Sequence, residues 1–329
     1  MTRSRANPLL LALNNASLVL FLAVLAVFGV LSPRFLTVPN LTNVLVQSAS
    51  TAIVAVGMTF VLLTAGVDLS VGAIMFVAAA VAGKMVLGGA PLWLALVIIL
   101  LIGLAFGAIN AFFITRLRII AFIVTLATLY LGRGFALWFT ETRAMNLPPS
   151  FLAIGTERWL GVPLPILLLA AVVALAHVVL TRTPFGRQLY ALGQDVEAAR
   201  KAGIKTGRRL AAVYVISGFC AALGGILALA QLGAVSPTFG TNKEFAAIAA
   251  AVLGGTSLFG GRGSVFPGTV LGALLIQSVE NGLVILDADP YLYPLITSGI
   301  IFIAVLTDSV RSALLAKLGR RRIRVEEMG

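Results

Sequence analysis

The chain has 329 residues, of which 60% are hydrophobic and only 11% are charged, and its formal net charge is +12. Soluble domains carry about 25% charged residues, so this composition argues against a soluble globular protein. The excess of positive charge is typical of the cytoplasmic loops of membrane proteins, and we prefer that explanation to nucleic acid as a partner.

Residues suited to catalysis or metal binding are scarce. The single cysteine, Cys220, lies in an apolar segment, and the single histidine is His177. One cysteine forms neither an intrachain disulfide nor a zinc cluster. A membrane enzyme would need a nucleophile, a base and an orienting group that converge, and the sequence offers no good set. We therefore predict no catalytic residue, no metal and no cofactor.

Apolar segments of roughly the 20 residues that cross hydrocarbon follow one another along the whole chain. They predict an all-α polytopic membrane protein that forms a single transmembrane domain over residues 1–329. The predicted spans are 14–32, 42–65, 70–89, 92–115, 119–139, 162–180, 210–232, 245–260, 264–284 and 291–308. The span at 245–260 is the weakest, because it is short and rich in Ala and Gly. We expect it to be a short, re-entrant or broken helix, which a membrane protein tolerates where protein buries it.

The positive charges predict the orientation. With both termini inside, the inner segments hold 18 of the 24 Lys and Arg residues. This bias predicts ten crossings with the N-terminus and the C-terminus in the cytoplasm. The 18 residues are Arg3, Arg5, Arg116, Arg118, Arg182, Arg187, Arg200, Lys201, Lys205, Arg208, Arg209, Arg262, Arg311, Lys317, Arg320, Arg321, Arg322 and Arg324.

The first break in the apolar pattern is the segment 66–72, which contains Asp68 and Ser70. A carboxylate at a membrane boundary is costly unless it is paired, hydrated or functional. Ser70 is also of the type that caps a helix start. Two interpretations stay open: a functional Asp68, or a capped helix start with Asp68 facing water.

The second break is the loop 181–209, predicted to be cytoplasmic. Within it, residues 195–203 have acidic side chains first, basic ones later and a terminal glycine, which favours a short helix. Its small residues could dock into a groove of another protein, whereas the alternative is a solvated helix. The residues singled out for coupling to a partner are Asp195, Glu197, Ala198, Ala199, Arg200 and Gly203.

The third break is the glycine-rich segment 254–268. A phosphate-binding loop would require a Gly-x-x-x-x-Gly-Lys-Ser/Thr pattern, and none occurs in the chain. We predict a close-packed turn instead, so any ATP that drives this protein is handled by another chain. Four-residue glycine spacings, Gly103 with Gly107 and Gly268 with Gly272, predict close helix packing.

Polar residues inside the predicted spans either join helices or line a path. Glu280 and Asn281 are the most suggestive, although they could also lie at the outer edge of their span. Together with the first break, these residues form the candidate translocation path: Asp68, Ser70, Asn110, Thr125, Glu280 and Asn281.

Several motifs in one order resemble the permease subunit of ribose-type ABC sugar importers, a branch of the group that includes branched-chain amino acid permeases. The resemblance covers nearly the whole chain, from about residue 35 to 308. The motifs are Ala55-Val56-Gly57-Met58-Thr59, Asp68-Leu69-Ser70-Val71-Gly72, Phe122-Ile123-Val124-Thr125-Leu126, Thr183-Pro184-Phe185-Gly186-Arg187, Ala198-Ala199-Arg200-Lys201-Ala202-Gly203-Ile204 and the run from Ile248 to Ser257.

The resemblance implies a transport subunit, not an enzyme, that moves a monosaccharide across the bacterial inner membrane. It implies three partners: cytoplasmic ATP-binding subunits, an extracytoplasmic solute-binding protein and a second permease, identical or paralogous. It also implies that helix 195–203 is the coupling element. The chain departs from the family pattern at Ala65, Ile120 and Ala127, which leaves the particular solute open. The alternatives are another small polar solute, such as a furanose-type signalling molecule, or an ion-coupled secondary transporter, a class known for intramembrane charges and broken helices.

Overall fold

The computed structural model describes residues 16–293, together with 295, 296, 298, 299, 302 and 306. The described residues are mainly helical. The helices are α1 Ala16–Leu31, α2 Val38–Leu63, α3 Val71–Leu87, α4 Leu92–Thr115, α5 Ala121–Thr140, α6 Pro149–Thr156, α7 Leu164–Arg182, α8 Pro184–Gln194, α9 Val196–Lys201, α10 Thr206–Leu232, α11 Lys243–Leu253 and α12 Val270–Ile285.

Short strands and turns complete the secondary structure. Strand β1, Met145–Asn146, pairs with β4, Ala234–Val235, and strand β2, Arg158–Trp159, pairs with β3, Val162–Pro163; both pairs are antiparallel. One π-helical turn, Val265–Thr269, leads directly into α12.

Six helices in the described part of the chain are long and apolar enough to cross a membrane: α2, α4, α5, α7, α10 and α12 with its preceding turn. Helices α1 and α3 are apolar but shorter. The all-α membrane class is therefore confirmed. The count of ten crossings and the orientation stay predictions, because the terminal basic residues and half of the tenth predicted span, 291–308, lie outside the described residues.

Helix α2 lies at the centre of the bundle and packs against α7, α10, α11 and α12. Seventeen of its 26 residues are buried, so it has no continuous face for lipid. Eight of the 17 buried residues are Gly, Ala, Ser or Thr, with Ala49, Ala52, Ala55 and Gly57 among them. Small residues let helix backbones approach closely, which is how helices associate in lipid without a hydrophobic driving force.

Glycines form the contact between α4 and α10. A side chain added at Gly103 would collide with the carbonyl of Gly218, and one added at Gly218 would collide with the carbonyl of Gly103. One turn further, a Cβ at Gly107 would lie 2.6 Å from the carbonyl oxygen of Tyr214. The predicted packing role of the Gly103 and Gly107 pair is confirmed, and the structure adds Gly218 as its partner.

Apolar side chains on α4, α5 and α7 point away from the bundle. Leu101 is 52% exposed, Leu131 73% and Leu175 67%. Such exposure would be costly in water, but hydrocarbon is as apolar as leucine. These three helices therefore contribute to the lipid-facing surface of the described part of the chain, as does α1, where Leu22 is 54% and Val27 55% exposed.

The predicted span 245–260 contains a helix that is shorter than predicted. Its helix, α11, has only 11 residues and ends at Leu253, so it is about 16 Å long against a hydrocarbon thickness of about 30 Å. The Lys243 ammonium donates to Thr51 in the middle of α2 at 3.0 Å, and the Ser17 hydroxyl near the start of α1 donates to the Leu253 carbonyl. Helix α11 is thus a half-span, as the expectation of a short or broken helix anticipated, and residues beyond 253 form a loop.

Two helices were not predicted. In α8, the Thr183 hydroxyl accepts from the Gly186 amide at 3.3 Å, and Pro184 occupies the first turn, where its fixed φ suits a helix start. Buried Leu189 and Leu192 hold this helix against the bundle. Helix α6 likewise begins with a proline and is anchored by buried Phe151. Both helices are short and lie in the connections between predicted spans. The search for apolar segments of about 20 residues therefore could not detect them.

Candidate functional site

Asp68 lies in the turn between α2 and α3, and its side chain is completely buried. Its Oδ1 accepts from the Ser70 amide at 3.0 Å and from the Ser70 hydroxyl at 2.6 Å. Its Oδ2 accepts from the Ser217 hydroxyl of α10 at 2.7 Å. Three donors thus converge on one carboxyl group, which is the pattern that stabilises an ionised carboxylate.

The chain of hydrogen bonds that ends at Asp68 extends into two further helices, α4 and α5. The side-chain amide of Asn110 on α4 donates to the Ser70 hydroxyl at 2.8 Å, and the Thr128 hydroxyl of α5 donates to the side-chain Oδ1 of Asn110 at 2.9 Å. Because Ser70 accepts from Asn110, its own hydrogen is free to point at Asp68. Chains of this kind polarise one another in a medium of low dielectric. The Asp68 network therefore joins a turn and three helices around one carboxylate.

The structure contradicts one of the two interpretations of the first break, and a functional Asp68 stays a prediction. A water-facing Asp68 is wrong, because Asp68 and Ser70 are both fully buried. A Ser70 side-chain cap is also wrong: its hydroxyl bonds Asp68, and Asp68 receives the Ser70 amide instead. Thr125 is fully buried but donates to the Ala121 carbonyl of its own helix at 2.9 Å. It lies one turn before Thr128 and contacts the turn only through a long hydrogen bond of 3.4 Å to the Val67 backbone carbonyl, without a direct bond to Asp68.

Ser217 and Thr128 were missed by the sequence analysis. Each is a lone hydroxyl in an apolar helix, and such residues commonly bond their own backbone. Thr128 follows Thr125 by three residues, which places both on one face of α5. Ser217 has no comparable signal, because it is separated from Asp68 by 149 residues.

Glu280 and Asn281 of α12 lie at a different place, beside a cavity of about 730 Å³. Asn281 exchanges two side-chain hydrogen bonds with Asn40 of α2, at 2.8 and 3.1 Å. The predicted path residues thus form two groups, with Glu280 and Asn281 apart from the Asp68 network. The cavity is lined by Asn43, Gln47, Asn242, Phe245, Ala246, Ile276, Gln277, Glu280, Asn281, Val284, Tyr293 and Ser298.

A second buried carboxylate belongs to Glu244 in the first turn of α11, where only 4% of the residue is exposed. Its Oε2 lies close to Gly72 at the start of α3. Arg133 lies inside α5, within the predicted span 119–139, and is half-buried.

The predicted helix at 195–203 is confirmed as α9. The Asp195 carboxylate caps it by accepting from the amides of Glu197 at 2.8 Å and Ala198 at 3.0 Å. Glu197 and Arg200 form an exposed ion pair at 2.7 Å. Gly203 follows the helix with a φ of 81°, a conformation that favours glycine.

The small-residue side of α9 is not uniformly available to a partner. Ala199 is buried, with 4% exposed, and packs into the protein. Ala198 and Ala202 are exposed, as are Glu197 and Arg200. Ala199 is therefore corrected from a docking residue to one that holds α9 on the protein.

The three breaks singled out in the sequence meet at one place, which we call the inner joint. The Leu63 carbonyl at the end of α2 accepts from the Gly261 amide at 3.0 Å. The Gln194 side chain at the end of α8 donates to the Gly261 carbonyl at 3.1 Å. Gly193 lies so close to Leu63 that a side chain there would collide with its carbonyl. The glycines serve close packing, as predicted for the segment 254–268.

Tyr190 adds a further bond to the inner joint. Its hydroxyl donates to the Gly263 carbonyl at 2.9 Å. Burial raises the pKa of the Tyr190 phenol, so that it remains a proton donor at neutral pH. Helix α8, which carries Tyr190 and Gln194, thus ties the exposed helix α9 to the turn that contains Asp68.

Comparisons with known proteins identify the relatives of this chain. Residues 40–306 match a family described as branched-chain amino acid transport system / permease component. The ribose import permease protein of Haemophilus influenzae is 38% identical over 302 residues, covering 90% of this chain and 93% of that protein. That of Bacillus subtilis is 40% identical over 298 residues, covering 89% and 92%. The D-allose transport system permease protein of Escherichia coli is 37% identical over 292 residues, covering 88% and 89%. No solved structure matches the chain significantly.

Long apolar helices around a buried polar network, together with these similarities, define a multi-pass membrane transport permease of the bacterial inner membrane. Within that class, the chain belongs to the family of branched-chain amino acid transport system permease components, in its ribose-type branch of ABC importer permeases.

Proposed function

We propose that this chain is the permease subunit of an ABC importer that carries a monosaccharide into the cytoplasm. The observation that carries the proposal is the similarity, over about nine-tenths of the chain, to proteins named for ribose import. Relatives named for D-allose and xylose extend the range to other simple sugars. One relative is named for autoinducer 2 import, which supports a furanose-type signalling molecule as the second candidate solute.

The proposed topology has ten crossings with both termini in the cytoplasm. In this topology α9 and the inner joint lie on the cytoplasmic side, and the half-span α11 enters from the outer side. The distribution of Lys and Arg over the segments supports it. Because no nucleotide-binding motif occurs in the chain, ATP hydrolysis is assigned to separate cytoplasmic subunits. A solute-binding protein outside and a second permease chain, identical or paralogous, complete the proposed transporter.

The proposed mechanism runs from α9 to the Asp68 network. An ATPase subunit would contact the exposed side of α9, and α8 would transmit the movement to the inner joint. Gly66, which adjoins that joint, lies against the buried Tyr214 of α10, and Asp68 follows two residues later. The close backbone contacts at the inner joint do not deform gradually. A shift of α8 would therefore switch the joint from one packed arrangement to another. The Asp68 network would then move the turn, α4, α5 and α10 together.

A charge-swap experiment on α9 tests the coupling. Glu197→Lys and Arg200→Glu each break the ion pair and reverse one exposed charge. The double variant restores an internal pair with its charges exchanged. We expect each single variant to insert normally but to lower ATP-driven ribose uptake by about tenfold, equivalent to 1.4 kcal/mol of coupling. Uptake is measured in proteoliposomes with the ATPase subunits and the binding protein.

The double variant separates docking from helix stability. If a partner recognises the charge at each of the two positions, uptake stays impaired in the double variant while ATP hydrolysis continues. Full recovery would mean that the pair only stabilises α9, and normal uptake in both single variants would contradict docking at this helix. Uptake that persists without ATP and collapses with an ion gradient would favour the secondary-transporter alternative.

A further inference from the structure

The cavity beside Glu280 has the composition of a site for a polyhydroxylated solute. Asn43 and Gln47 are four residues apart on α2, and Gln277 and Glu280 are three apart on α12, so each pair shares one helix face. Both faces line the same cavity, which is closed on another side by the start of α11. Polar side chains on facing apolar helices are costly in a membrane unless they have a function.

We infer that this cavity binds a neutral monosaccharide through the side chains of Gln47, Gln277 and Glu280. Within the described residues, Gln277 and Glu280 have no hydrogen-bond partner, and Gln47 has only a long contact of 3.5 Å to Asn43. Asn281, by contrast, is engaged with Asn40 through both its carbonyl and its amide. Three polar groups are thus free to bind a ligand, while the Asn40–Asn281 pair fixes the distance between α2 and α12.

The chemistry of the free groups matches hydroxyl groups. A sugar hydroxyl both donates and accepts, and a glutamine side chain offers one acceptor and two donors. The Glu280 carboxylate accepts from hydroxyls in a charge-assisted bond. Phe245 and Tyr293 supply apolar faces for the carbon side of a sugar ring. The volume of about 730 Å³ is within the range of about 300–1,000 Å³ that is usual for small-molecule sites.

The cavity is poorly suited to an amino acid. Its described lining contains one acidic side chain, Glu280, and no Lys or Arg. Lys243 is near enough to interact with Glu280, but its ammonium is bonded to Thr51 and is not part of the lining. An α-carboxylate would therefore meet the Glu280 carboxyl group without a cationic partner, and burial of an unpaired charge disfavours its binding.

A protection experiment on the purified full chain tests binding without any ATPase. Ala246, which lines the cavity, is replaced by cysteine in a Cys220→Ala background, and its reaction rate with N-ethylmaleimide is measured with and without sugar. At a D-ribose or D-allose concentration ten times Kd, about a tenth of the sites are free, so labelling slows by about tenfold. L-leucine at the same concentration leaves the rate unchanged.

Controls locate the protection. Thr42→Cys, on α2 outside the lining, reacts at the same rate with and without sugar. Gln277→Leu in the Ala246→Cys background removes most of the protection. Val284→Cys on α12 is the second reporter if the first variant does not fold. Any one of three results overturns the inference. Labelling at position 246 is the same with and without every monosaccharide tested, leucine protects that position, or sugar protects position 42 equally well.

The role of this cavity in transport rests on the proposed function, whereas sugar binding in the cavity does not. Different experimental results would contradict the binding site and the proposed function. If sugar protects position 246 but the assembled transporter shows no ATP-driven uptake, the site stands and the proposed function is wrong. If ATP-driven sugar uptake is normal in Gln277→Leu and no protection occurs, the proposed function stands and the solute takes another route.

Discussion

The Ser217 hydroxyl donates to Asp68 Oδ2 at 2.7 Å, which ties the middle of α10 to the turn between α2 and α3. Both residues are fully buried. A carboxylate in such a place is stable only while its donors are present, because burial without hydrogen bonds penalises the charged form strongly. The bond therefore fixes where the turn sits relative to α10.

Ser217→Ala is expected to destabilise the protein by about 1.5–3 kcal/mol, because it removes a donor from a buried charged acceptor. Ser50→Ala is the matched control. Its hydroxyl is also buried and also joins α2 to α10, but it donates to the neutral Gly224 carbonyl at 2.8 Å. We expect a loss of about 0.5–1.5 kcal/mol there. Thermal unfolding in one detergent measures both variants, and equal losses would contradict a charged Asp68.

Gly218→Ala is expected to separate α4 from α10, because its methyl group would collide with the Gly103 carbonyl. Backbone atoms cannot move aside as a flexible side chain can, so we expect a loss of at least about 1–3 kcal/mol. Gly134→Ala on α5 is the control, since its Cβ meets nothing within 4 Å. Monodispersity after extraction and the unfolding temperature report both variants. A stable Gly218→Ala protein would show that this contact is not the one that holds the helices.

Asp195→Ala is expected to unfold α9 locally, because both capped amides lose their acceptor. Loss of an N-cap costs about 1 kcal/mol, which is large for a helix of six residues. Asp195→Asn keeps the cap without the charge and should retain the helix. Hydrogen exchange over residues 196–201 measures the effect. Faster exchange in both variants would mean that the charge of Asp195, rather than its capping bonds, maintains the helix.

Ala65→Gly is expected to stabilise the protein by about 1 kcal/mol and to raise Tm by about 2–4 °C. Ala65 has a φ of 58°, a left-handed conformation that glycine adopts without strain. Ala108→Gly, in the exposed interior of α4, should instead cost about 1 kcal/mol. A fall in Tm for both variants would argue that Ala65 contributes more through packing than it loses in strain.

Much of the architecture follows from local hydropathy. The prediction of 92–115 coincides with α4, and the predicted spans from 42 to 284 each contain an apolar helix, with the half-span α11 anticipated as short. The loop helix α9 was also predictable, because its capping residue, charge order and terminal glycine are local signals. Helices α6 and α8 were missed although a proline lies in the first turn of each and Thr183 caps α8, because neither is long enough to show a membrane-span signal. Single buried residues such as Phe151 and Leu189 hold them against distant parts of the chain.

The sequence by itself determined the membrane class, most of the helices and the three breaks between them, because apolar runs, glycines and caps act over a few neighbouring residues. Only the tertiary structure decided that Asp68 is buried and bonded to Ser217, that the three breaks meet at the inner joint, and that Glu280 faces a separate cavity. These facts depend on contacts across tens to hundreds of residues. One hydroxyl in an apolar helix looks the same in sequence whether it faces its own backbone or a distant carboxylate.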